Sequence, residues 1–490
     1  MSTLGRGNTL DRRNIQGNIL EGYRFPHVLH LFARIDDPAR GAAALGALRP
    51  LVMTAVRWTA ERPTRALNLG LTHAGLRALG VPDTRLARFP QEFREGMLRR
   101  ARLLGDDPSH FEPVWQKPEQ IHVWLWLHGR SPEDLRQLRR QIEEQVGDSL
   151  SWLEPQAGEM LTNADGQAIE HFGFRDGISG PSISGSFTAP RPGDGELSEN
   201  GTWRPVAAGE LLLGHPDESG EIARLADEDT LGDDGTFAVL RKLGQDVHGF
   251  RKYTAALAEQ HGGVDADWIA ARMVGRQRDG TPLVAATQAS SSDAHPSNAF
   301  RFAADPEGRV CPLGAHIRRA NPRDGHAFLG AFARHRIVRR SATFGPPLPE
   351  SADTEVPPVD RYRQRGLLFV ALNAALDRQF EFLQRFYMNE GAAARQGVDA
   401  DPLVGAHREH SSDFVIPGDM ATQRGTIVCP ALPRFIECLG GEYFFLPSLR
   451  CLERLTRAST TVSQHGRQAR AAIHARPSSD AVISNPEITS

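Results

Sequence analysis

The stretch His122–Val146, HVWLWLHGRSPEDLRQLRRQIEEQV, joins an apolar run to a charged helical pattern. Its first seven residues are apolar enough to predict a buried strand. Ser131 then stands at a helix N-cap position, and Glu133 lies in the first turn, where a carboxylate favours the helix dipole. Strand and helix patterns alternate irregularly on both sides of this unit, with helices grouped between strands. The sequence therefore predicts an α+β fold with an antiparallel sheet covered on one face by helices.

The same two patterns continue through the rest of the chain. The predicted strands are His27–Ile35, Val52–Thr59, Ala66–Thr72, Phe237–Leu243, Arg334–Arg340, Gly366–Asn373 and Glu442–Leu446. The predicted helices are Gly41–Leu48, Pro90–Leu104, Asp246–His261, Ala266–Val274 and Asp377–Tyr387. The Gly-, Pro- and Ser-rich stretch Gly180–Gly201 is typical of a long loop or a crossing between domains. We therefore expect an N-terminal domain over 1–200, a C-terminal domain over 201–464, and a disordered tail over 465–490.

Composition excludes several classes of protein. The 57 Lys+Arg nearly balance the 60 Asp+Glu, which argues against a nucleic-acid protein and against attraction to an anionic membrane. The longest apolar run, Gly366–Leu376, is too short to span a bilayer, and the polar N-terminus has no apolar segment of a secretory signal. Cys311, Cys429, Cys438 and Cys451 have no CxxC spacing. We expect no disulfide framework, no cysteine-zinc site and a cytoplasmic location.

The first stretch that could carry chemistry is Phe172–Pro181, FGFRDGISGP. Asp176 lies in a predicted turn between Gly173 and Gly177, and the glycines allow the backbone to approach a ligand closely. The carboxylate would then be presented rather than packed. The alternative is an Asp that caps its own loop, and the stretch alone favours that alternative.

The second stretch is Cys311–Asp324, CPLGAHIRRANPRD. His316 follows two small residues and can therefore reach a metal or a flat cofactor. The nearby guanidiniums of Arg318, Arg319 and Arg323 suit anionic groups such as propionates or phosphates. The alternative is a histidine on a solvated basic segment.

The third stretch is Arg336–Gly345, RIVRRSATFG. Strand alternation places Arg339 and Arg340 on opposite faces, so one of them points inward and needs an anionic partner or a ligand. The alternative is charge on an edge strand. The chain has no GxxxxGK[ST], strand-anchored GxGxxG, GxSxG or HExxH motif, so nucleotide-binding, hydrolase and zincin chemistry are disfavoured.

Five segments in series, spanning residues from about 15 to 455, resemble the dye-decolourising peroxidases, a haem peroxidase family. Gly173–Gly177 matches the family's GxxDG signature, Ala315–Arg323 matches AHIRxxNPR, and Ile337–Gly345 matches IxRRxxxxG. Ile15–Tyr23 and Gly440–Ser448 also look like family segments. The long loops resemble the larger, more elaborated subfamilies.

This resemblance implies two ferredoxin-like halves with antiparallel sheets and one haem b per chain, held mainly in the C-terminal half. His316 would be the proximal iron ligand, Asp176 the distal acid-base residue and Arg339 the distal arginine. Asp399 and Asp401 are both candidates for the carboxylate that orients His316. The other cofactor-binding residues that the resemblance implies are Gly177, Ile178, Arg323, Leu367 and Phe369.

The implied reaction is reduction of hydrogen peroxide with one-electron oxidation of bulky organic donors, such as dyes and phenolics. Bulky donors cannot enter a small peroxide pocket, so electrons would pass through aromatic side chains. The candidates in the haem-bearing half are Tyr253, Tyr362, Tyr387 and Trp268, each of which is equally compatible with a core position. A carboxylate base remains deprotonated at acid pH, where an imidazole base would be protonated, so we expect an acidic activity optimum.

Other functions stay open at this point. A haem-binding or haem-handling protein with incidental peroxidase turnover would need His316 and the arginines but not Asp176. A structural or cargo protein would dock through its tail. A non-haem metalloenzyme using Asp176 and His316 is disfavoured because the matched stretches lack a third clear ligand. Partners beyond peroxide and a donor are not indicated, with no nucleic acid and no membrane expected, and homo-oligomerisation is left open.

Overall fold

The computed structural model describes residues 10–58, 61–187, 191–198, 202–225, 230–286, 298–324, 332–349, 360–391, 399–407, 412–418 and 423–457. The predicted boundary between residues 200 and 201 and the predicted tail over 465–490 lie outside these ranges. Within them, no helix is long and apolar enough to cross a membrane.

The first half of the chain forms five strands, whose bounds are β1 His27–Arg34, β2 Arg65–Leu71, β3 Val123–Gly129, β4 Ser151–Trp152 and β5 Gln156–Glu159. Its α-helices are α1 Gly17–Leu20, α2 Pro38–Leu48, α3 His73–Ala78, α4 Asp83–Leu86, α5 Gln91–Glu95, α6 Met97–Arg100 and α7 Pro132–Val146. Short 3₁₀ turns cover Arg49–Leu51, Ala101–Leu104, Pro108–His110 and Pro118–Gln120.

The second half contributes the strands β6 Glu196–Leu197, β7 Trp203–Arg204, β8 Thr236–Gln245, β9 Val338–Arg339, β10 Ala342–Phe344, β11 Gly366–Asn373, β12 Phe414–Ile416, β13 Ile427–Cys429 and β14 Ile436–Leu446. Its α-helices are α8 Val247–Gln260, α9 Ala266–Val274, α10 Leu283–Ala286 and α11 His316–Ala320, and residues 449–457 are also helical. Two π-helical segments, Asp377–Glu381 and Leu383–Met388, and 3₁₀ turns at Ala208–Glu210, Thr230–Gly232 and Phe332–His335 complete this half.

All of the pairings in the main sheet are antiparallel. The strand order is β10-β5-β1-β3-β2-β14-β8-β11, and β11 pairs back with β10, which closes the ring; β4 and β9 add to β1 and β11. Both halves of the chain supply strands to this ring. They join at two short contacts, Leu71 with Phe445 and Thr343 with Glu159. The predicted α+β class with antiparallel sheets is therefore confirmed, and the two halves share one sheet.

The apolar run before α7 is continuous because both faces of β3 are buried. Leu125 and Leu127 pack on one face against helices such as α2 and α7. Trp124 and Trp126 lie on the opposite face, which the ring of strands encloses, and their rings stack with centroids 4.9 Å apart. Successive side chains in a strand point to opposite faces, so a strand buried on both sides shows no polar alternation.

The helix α7 begins where the sequence predicts. The Ser131 Oγ accepts the N–H of Asp134 (3.1 Å), and the Asp134 carboxylate accepts the N–H of Ser131 (3.0 Å), so each satisfies an N-terminal backbone donor of the other. Leu138, Ile142 and Val146 recur every four residues on the buried face. Local capping and periodicity therefore suffice to define this helix.

Three predicted elements are wrong in part. The predicted strand Val52–Thr59 makes only isolated bridges, and its last residue lies outside the described ranges. The predicted helix Pro90–Leu104 divides at Gly96, whose φ of +75° belongs to the left-handed region. The predicted strand Arg334–Arg340 is reduced to β9, because a 3₁₀ turn occupies its start.

Glu442 explains the break at Gly96 and leads to a prediction about pH. This buried side chain reaches from β14, and its Oε1 accepts the N–H groups of Met97 (2.9 Å) and Tyr443 (2.7 Å). Burial raises the pKa of Glu442 to about 7. The folded chain therefore keeps this proton where an unfolded chain, with a glutamate pKa of about 4.3, has released it. Stability from this group is lost as pH rises between these two values.

We expect Glu442→Gln to remove that loss. A glutamine Oε1 can accept the same two N–H groups and has no proton to release. The melting temperature of the variant, relative to the wild type, should rise as pH increases from about 5 to about 7. Thermal unfolding of both proteins across this interval measures the difference, and parallel curves would contradict the assignment.

Candidate active site

Asp176 lies at the end of a tight hairpin that we call the acid turn, residues Ala168–Gly177. The Asp176 N–H donates to the carbonyl of Ala168 (3.0 Å), and Ile169 bridges Arg175. Gly177 follows with a φ of +70°, and a Cβ there would meet open space. The turn therefore presents the Asp176 carboxylate, one-third of which is exposed, toward an opening.

Arg339 reaches the same opening from β9. It pairs with Ala371 of β11, so its side chain shares a sheet face with Leu367 and Phe369, which are both partly exposed. Arg339 Nη1 lies 3.7 Å from Asp176 Oδ1, and its Nη2 donates to the carbonyl of Ser179 (3.3 Å). The structure thus brings together the predicted carboxylate, arginine and apolar residues of β11.

Arg340 occupies the opposite face of this segment, as strand alternation predicts. Its guanidinium donates to the carbonyls of Asn18 (2.9 Å), Ile19 and Leu20 (3.3 Å each), which are residues of α1. Burial lowers the pKa of Arg340 to about 10. Of the two neighbouring arginines, Arg340 anchors the N-terminal segment and Arg339 remains available for chemistry.

His316 is the first residue of α11, and its orientation is set by a buried carboxylate. Its Nδ1 lies 3.0 Å from Asp401 Oδ2, while Asp401 Oδ1 accepts the N–H groups of Leu403 (2.9 Å) and Val404 (3.0 Å). Burial alone would raise the pKa of Asp401, but His316, Arg319 and the N–H of Val404 together outweigh burial and lower that pKa. With the proton on Nδ1, the Nε2 lone pair is left for a metal.

Asp401, rather than Asp399, is therefore the partner of His316. Asp399 contributes its backbone carbonyl to the guanidinium of Arg319 (2.7 Å). Asp401 lies 85 residues from His316 in the sequence, so spacing could not choose between the two candidates.

Asn298 connects the segment of Asp176 to the segment of His316. Its Nδ2 donates to the carbonyl of Ile178 (2.6 Å), and its own carbonyl accepts from Arg323 Nη1 (2.7 Å). Its Oδ1 accepts from Arg276 Nη2 (2.9 Å). Arg323 also lies over the ring of Phe300, 3.8 Å from its centroid. These contacts hold the two halves of the site at a fixed separation.

The two arginines beside Asn298, Arg276 and Arg323, carry more positive charge than the neighbouring carboxylates balance. Burial, together with Arg339, lowers the pKa of Arg276 to about 10. Burial, together with Arg336 and Arg276, lowers the pKa of Arg323 to about 9. Asp194 is the one carboxylate that acts on both of them in the described part of the chain. Such a cluster suits a ligand that carries carboxylates.

Two groups of partly exposed apolar side chains lie on the elements around Arg339 and Asp401. Leu367 and Phe369 pack on the core enclosed by the strands. Ile337, Phe386 and Val404 pack on a small cluster formed by the second π-helical segment. An imidazole with a free Nε2, apolar walls and paired guanidiniums together fit a haem with its propionates.

The aromatic residues predicted to pass electrons differ in exposure. Tyr387 is fully buried, so it belongs to the core rather than to the surface. Tyr253 and Tyr362 are partly exposed and donate to the carbonyls of Pro430 (2.8 Å) and Arg434 (2.6 Å). The fourth, Trp268, is partly exposed beneath the guanidinium of Arg272, which lies 3.2 Å from its ring centroid.

Sequence reasoning missed three residues of the site: Glu170, Arg276 and Asn298. Asn298 and Arg276 lie outside every recognised motif, and neither carries a local pattern. Glu170 lies three residues before Gly173, and the apolar rings of Phe172 and Phe174 follow it in the predicted turn. A charged residue directly before two apolar aromatic residues is the one sequence signal that could have identified Glu170.

Comparisons with known proteins show which family the chain resembles over most of its length. Residues 14–160 match the family model described as the DyP dimeric alpha+beta barrel domain. A dye-decolourising peroxidase of Mycena epipterygia is 30% identical over 92% of this chain and 88% of its own length. A multifunctional dye peroxidase of an Amycolatopsis species is 31% identical over 90% of this chain and 95% of its own.

Solved structures show the same similarity. A dye-decolourising peroxidase in complex with 2,6-dimethoxyphenol superposes with a TM-score of 0.75 at 27% identity, covering 90% of this chain and 98% of that one. A peroxidase of Auricularia auricula-judae gives a TM-score of 0.74 at 27% identity, covering 91% and 100%.

Proposed function

The chain belongs to the dye-decolourising peroxidase family, and on that premise we propose that it reduces hydrogen peroxide with Asp176, Arg339 and His316 in the roles described below. Haem b, when bound, supplies the redox-active iron at which peroxide is reduced. His316 would hold it through Nε2, with Asp401 fixing the tautomer through Nδ1. Leu367, Phe369 and Arg323 would contact the macrocycle and its acid groups.

Asp176 is the group that moves the proton. Splitting the peroxide bond into water requires both hydrogens on the departing oxygen, so one proton must pass from one peroxide oxygen to the other. A carboxylate within hydrogen-bond reach can accept the first proton and return it to the second oxygen. One-third of the Asp176 side chain is exposed in the acid turn, which gives peroxide access to the carboxylate.

Arg339 stabilises the charge that develops in this step. The departing oxygen becomes negative before it is protonated, and a guanidinium donates hydrogen bonds to it in a fixed geometry. Arg339 Nη1 also lies 3.7 Å from Asp176 Oδ1, so the two groups face the same bound peroxide. This ion pair at the opening is the observation that carries the proposal.

The donors would be phenolics and dyes. A relative has been solved with 2,6-dimethoxyphenol, an electron-rich phenol. One peroxide takes up two electrons and two protons to give two waters, so two donor molecules would each lose one electron. Trp268, Tyr253 and Tyr362, which are partly exposed, are the aromatic residues through which bulky donors would act.

Substitution of Arg339 tests the proposal. We expect Arg339→Leu to lower kcat/KM for hydrogen peroxide about 10²-fold, because the departing oxygen loses its charged donor. Arg339→Lys should fall between this variant and the wild type, since a point charge replaces the planar fork. Initial rates of dye oxidation at saturating donor and varied peroxide measure the effect.

Arg363→Leu provides the matched control, because Arg363 is an exposed arginine shortly before β11. It should leave the peroxide kinetics unchanged. If Arg339→Leu kept the wild-type kcat/KM at equal haem content, Arg339 would have no part in peroxide reduction.

We infer a cytoplasmic location and a division into domains at 1–200 and 201–464 as further parts of this proposal. All four cysteines are buried and none forms a disulfide, which is compatible with a reducing compartment. Homo-oligomerisation and the absence of nucleic-acid and membrane partners stay predictions. Fractionation of cells and sedimentation of the purified chain test them.

A further inference from the structure

The Glu170 carboxylate accepts hydrogen bonds from backbone N–H groups within the acid turn. Its Oε2 accepts the N–H of Phe172 (2.9 Å), and its Oε1 accepts the N–H of Phe174 (2.9 Å). The amide of Gln245 in β8 donates to Oε2 as well (2.8 Å). Both carboxylate oxygens are thus occupied by donors from the turn and from the sheet beneath it.

The two backbone donors depend on this carboxylate because their side chains point into the core. Phe172 and Phe174 are buried in a cluster with Val247 and Phe250 of α8, and the ring of Phe172 lies 4.5 Å from that of Phe250. Because these two side chains are buried, the backbone N–H groups of Phe172 and Phe174 cannot rotate toward solvent to find a water acceptor. A buried N–H without an acceptor destabilises the fold, so Glu170 supplies the acceptors that these two amides require.

The same carboxylate fixes the place of Asp176. The Glu170 N–H donates to the carbonyl of Phe174 (3.0 Å), and the Gly173 N–H donates to the carbonyl of Glu170 (2.9 Å), so Glu170 spans the turn with its main chain as well. Asp176 comes two residues after Phe174. Any movement of the Phe174 amide away from Glu170 is therefore passed along two peptide units to the catalytic carboxylate.

The charge of Asp176 also acts on Glu170. Burial raises the pKa of Glu170, its three donors oppose that rise, and the charge of Asp176 adds to it. A second negative charge behind the turn is tolerated because backbone and amide donors surround it.

We propose that Glu170 is a positioning residue for Asp176, which sets the catalytic carboxylate in place by holding the amides of Phe172 and Phe174. This inference rests on the proposed role of Asp176 in peroxide reduction. It adds a residue that makes no direct contact with peroxide and acts through the main chain of the turn.

Glu170→Gln is the informative variant. An amide has one oxygen, so it can serve only one of the two backbone donors, and its NH₂ then faces the other. We expect kcat/KM for hydrogen peroxide to fall about 10- to 100-fold, since displacement of a catalytic group by about 1 Å has effects of this size. Affinity for cyanide, followed by the shift of the Soret band, should also weaken, because its proton must be accepted at the same place. Haem content should remain at the wild-type level.

Glu442→Gln is the matched control. Glu442 is also a buried carboxylate that accepts two backbone N–H groups, but a single oxygen accepts both. An amide can therefore keep both bonds. Peroxide kinetics and cyanide affinity should be unchanged in this variant.

A double-variant cycle decides whether Glu170 acts through Asp176. In an Asp176→Asn background, Glu170→Gln should cause no further loss, because nothing remains to be positioned. An equal fold-loss in both backgrounds, or no loss of kcat/KM in Glu170→Gln alone, would overturn the inference. If Asp176→Asn itself were fully active, the proposed function would fail instead, so the two failures are distinguishable.

If Glu170→Gln does not fold, Gln245→Leu takes its place. This substitution removes one hydrogen bond to Glu170 and leaves both bonds to the turn. A smaller loss of kcat/KM that disappears in the Asp176→Asn background supports the inference, and unchanged or additive kinetics overturns it.

Discussion

His316→Ala is expected to yield a folded chain that no longer binds haem. In the proposed function the Nε2 of His316 holds the iron, and alanine supplies no atom in its place. The apolar walls and arginines would still attract the macrocycle weakly, so loss of the iron ligand should appear as loss of the Soret band after gel filtration. The Soret absorbance per chain, compared with the wild type, measures the loss, and peroxide turnover should disappear with it.

Asp401→Asn should cause a partial loss of haem binding, in contrast to the complete loss expected of His316→Ala. Asparagine can still accept the Nδ1 proton of His316 through its one oxygen, but its NH₂ then faces the N–H groups of Leu403 and Val404. It also carries no charge to strengthen the imidazole as a ligand. We expect haem affinity to fall about 10- to 100-fold rather than to vanish. His248→Ala, a substitution in α8, serves as the histidine control and should retain full haem. A normal Soret band in His316→Ala would show that another residue holds the iron.

Local patterns predicted those parts of the fold that depend on neighbours in sequence. The helix α7 has its first-turn carboxylates and its apolar face within its fifteen residues and its cap directly before them, and the sequence predicts its bounds correctly. β3 and β11 were predicted for the same reason, since a strand buried on both faces is a continuous apolar run. The closure of the sheet depends on contacts such as Thr343 with Glu159, which no local pattern contains.

In the site, too, the residues that lie in local motifs are predictable from the sequence, and those defined by distant contacts are not. Asp176, His316 and Arg339 lie in motifs that the resemblance identified, and the structure brings Asp176 and Arg339 together. The sequence left two candidates for the carboxylate beside His316, because the contact between His316 and Asp401 spans 85 residues. Glu170 was missed although it lies close to Asp176, because its role depends on amides that become buried only when the chain folds.

Tertiary contacts also override local propensity at single positions. The predicted helix over 90–104 contains good helix formers, but Gly96 takes a left-handed conformation and Glu442 accepts the N–H that begins the next helix. These two residues lie 346 positions apart. A carboxylate from β14 thus determines where α6 begins, and no window of sequence around Gly96 contains that information.

Asp176→Asn is expected to lower kcat/KM for hydrogen peroxide by roughly 10²- to 10⁴-fold while haem content stays at the wild-type level. Asparagine has nearly the same shape and can still pair with Arg339, but it cannot accept and return a proton. Rapid-mixing kinetics of peroxide consumption at several pH values measures the effect. The acidic activity optimum that the sequence predicts should be lost in the variant, since an asparagine side chain cannot accept a proton at any of these pH values.

Asp165→Asn is the control for this variant, because Asp165 is exposed just ahead of the acid turn. It should retain wild-type kinetics. The pair also separates a peroxidase from a haem-handling protein with incidental turnover, which needs His316 and the arginines but not Asp176. Loss of peroxide reduction without loss of haem requires a proton-transfer residue, whereas equal turnover in both variants would mean that haem alone accounts for the reaction and that Asp176 serves only its turn.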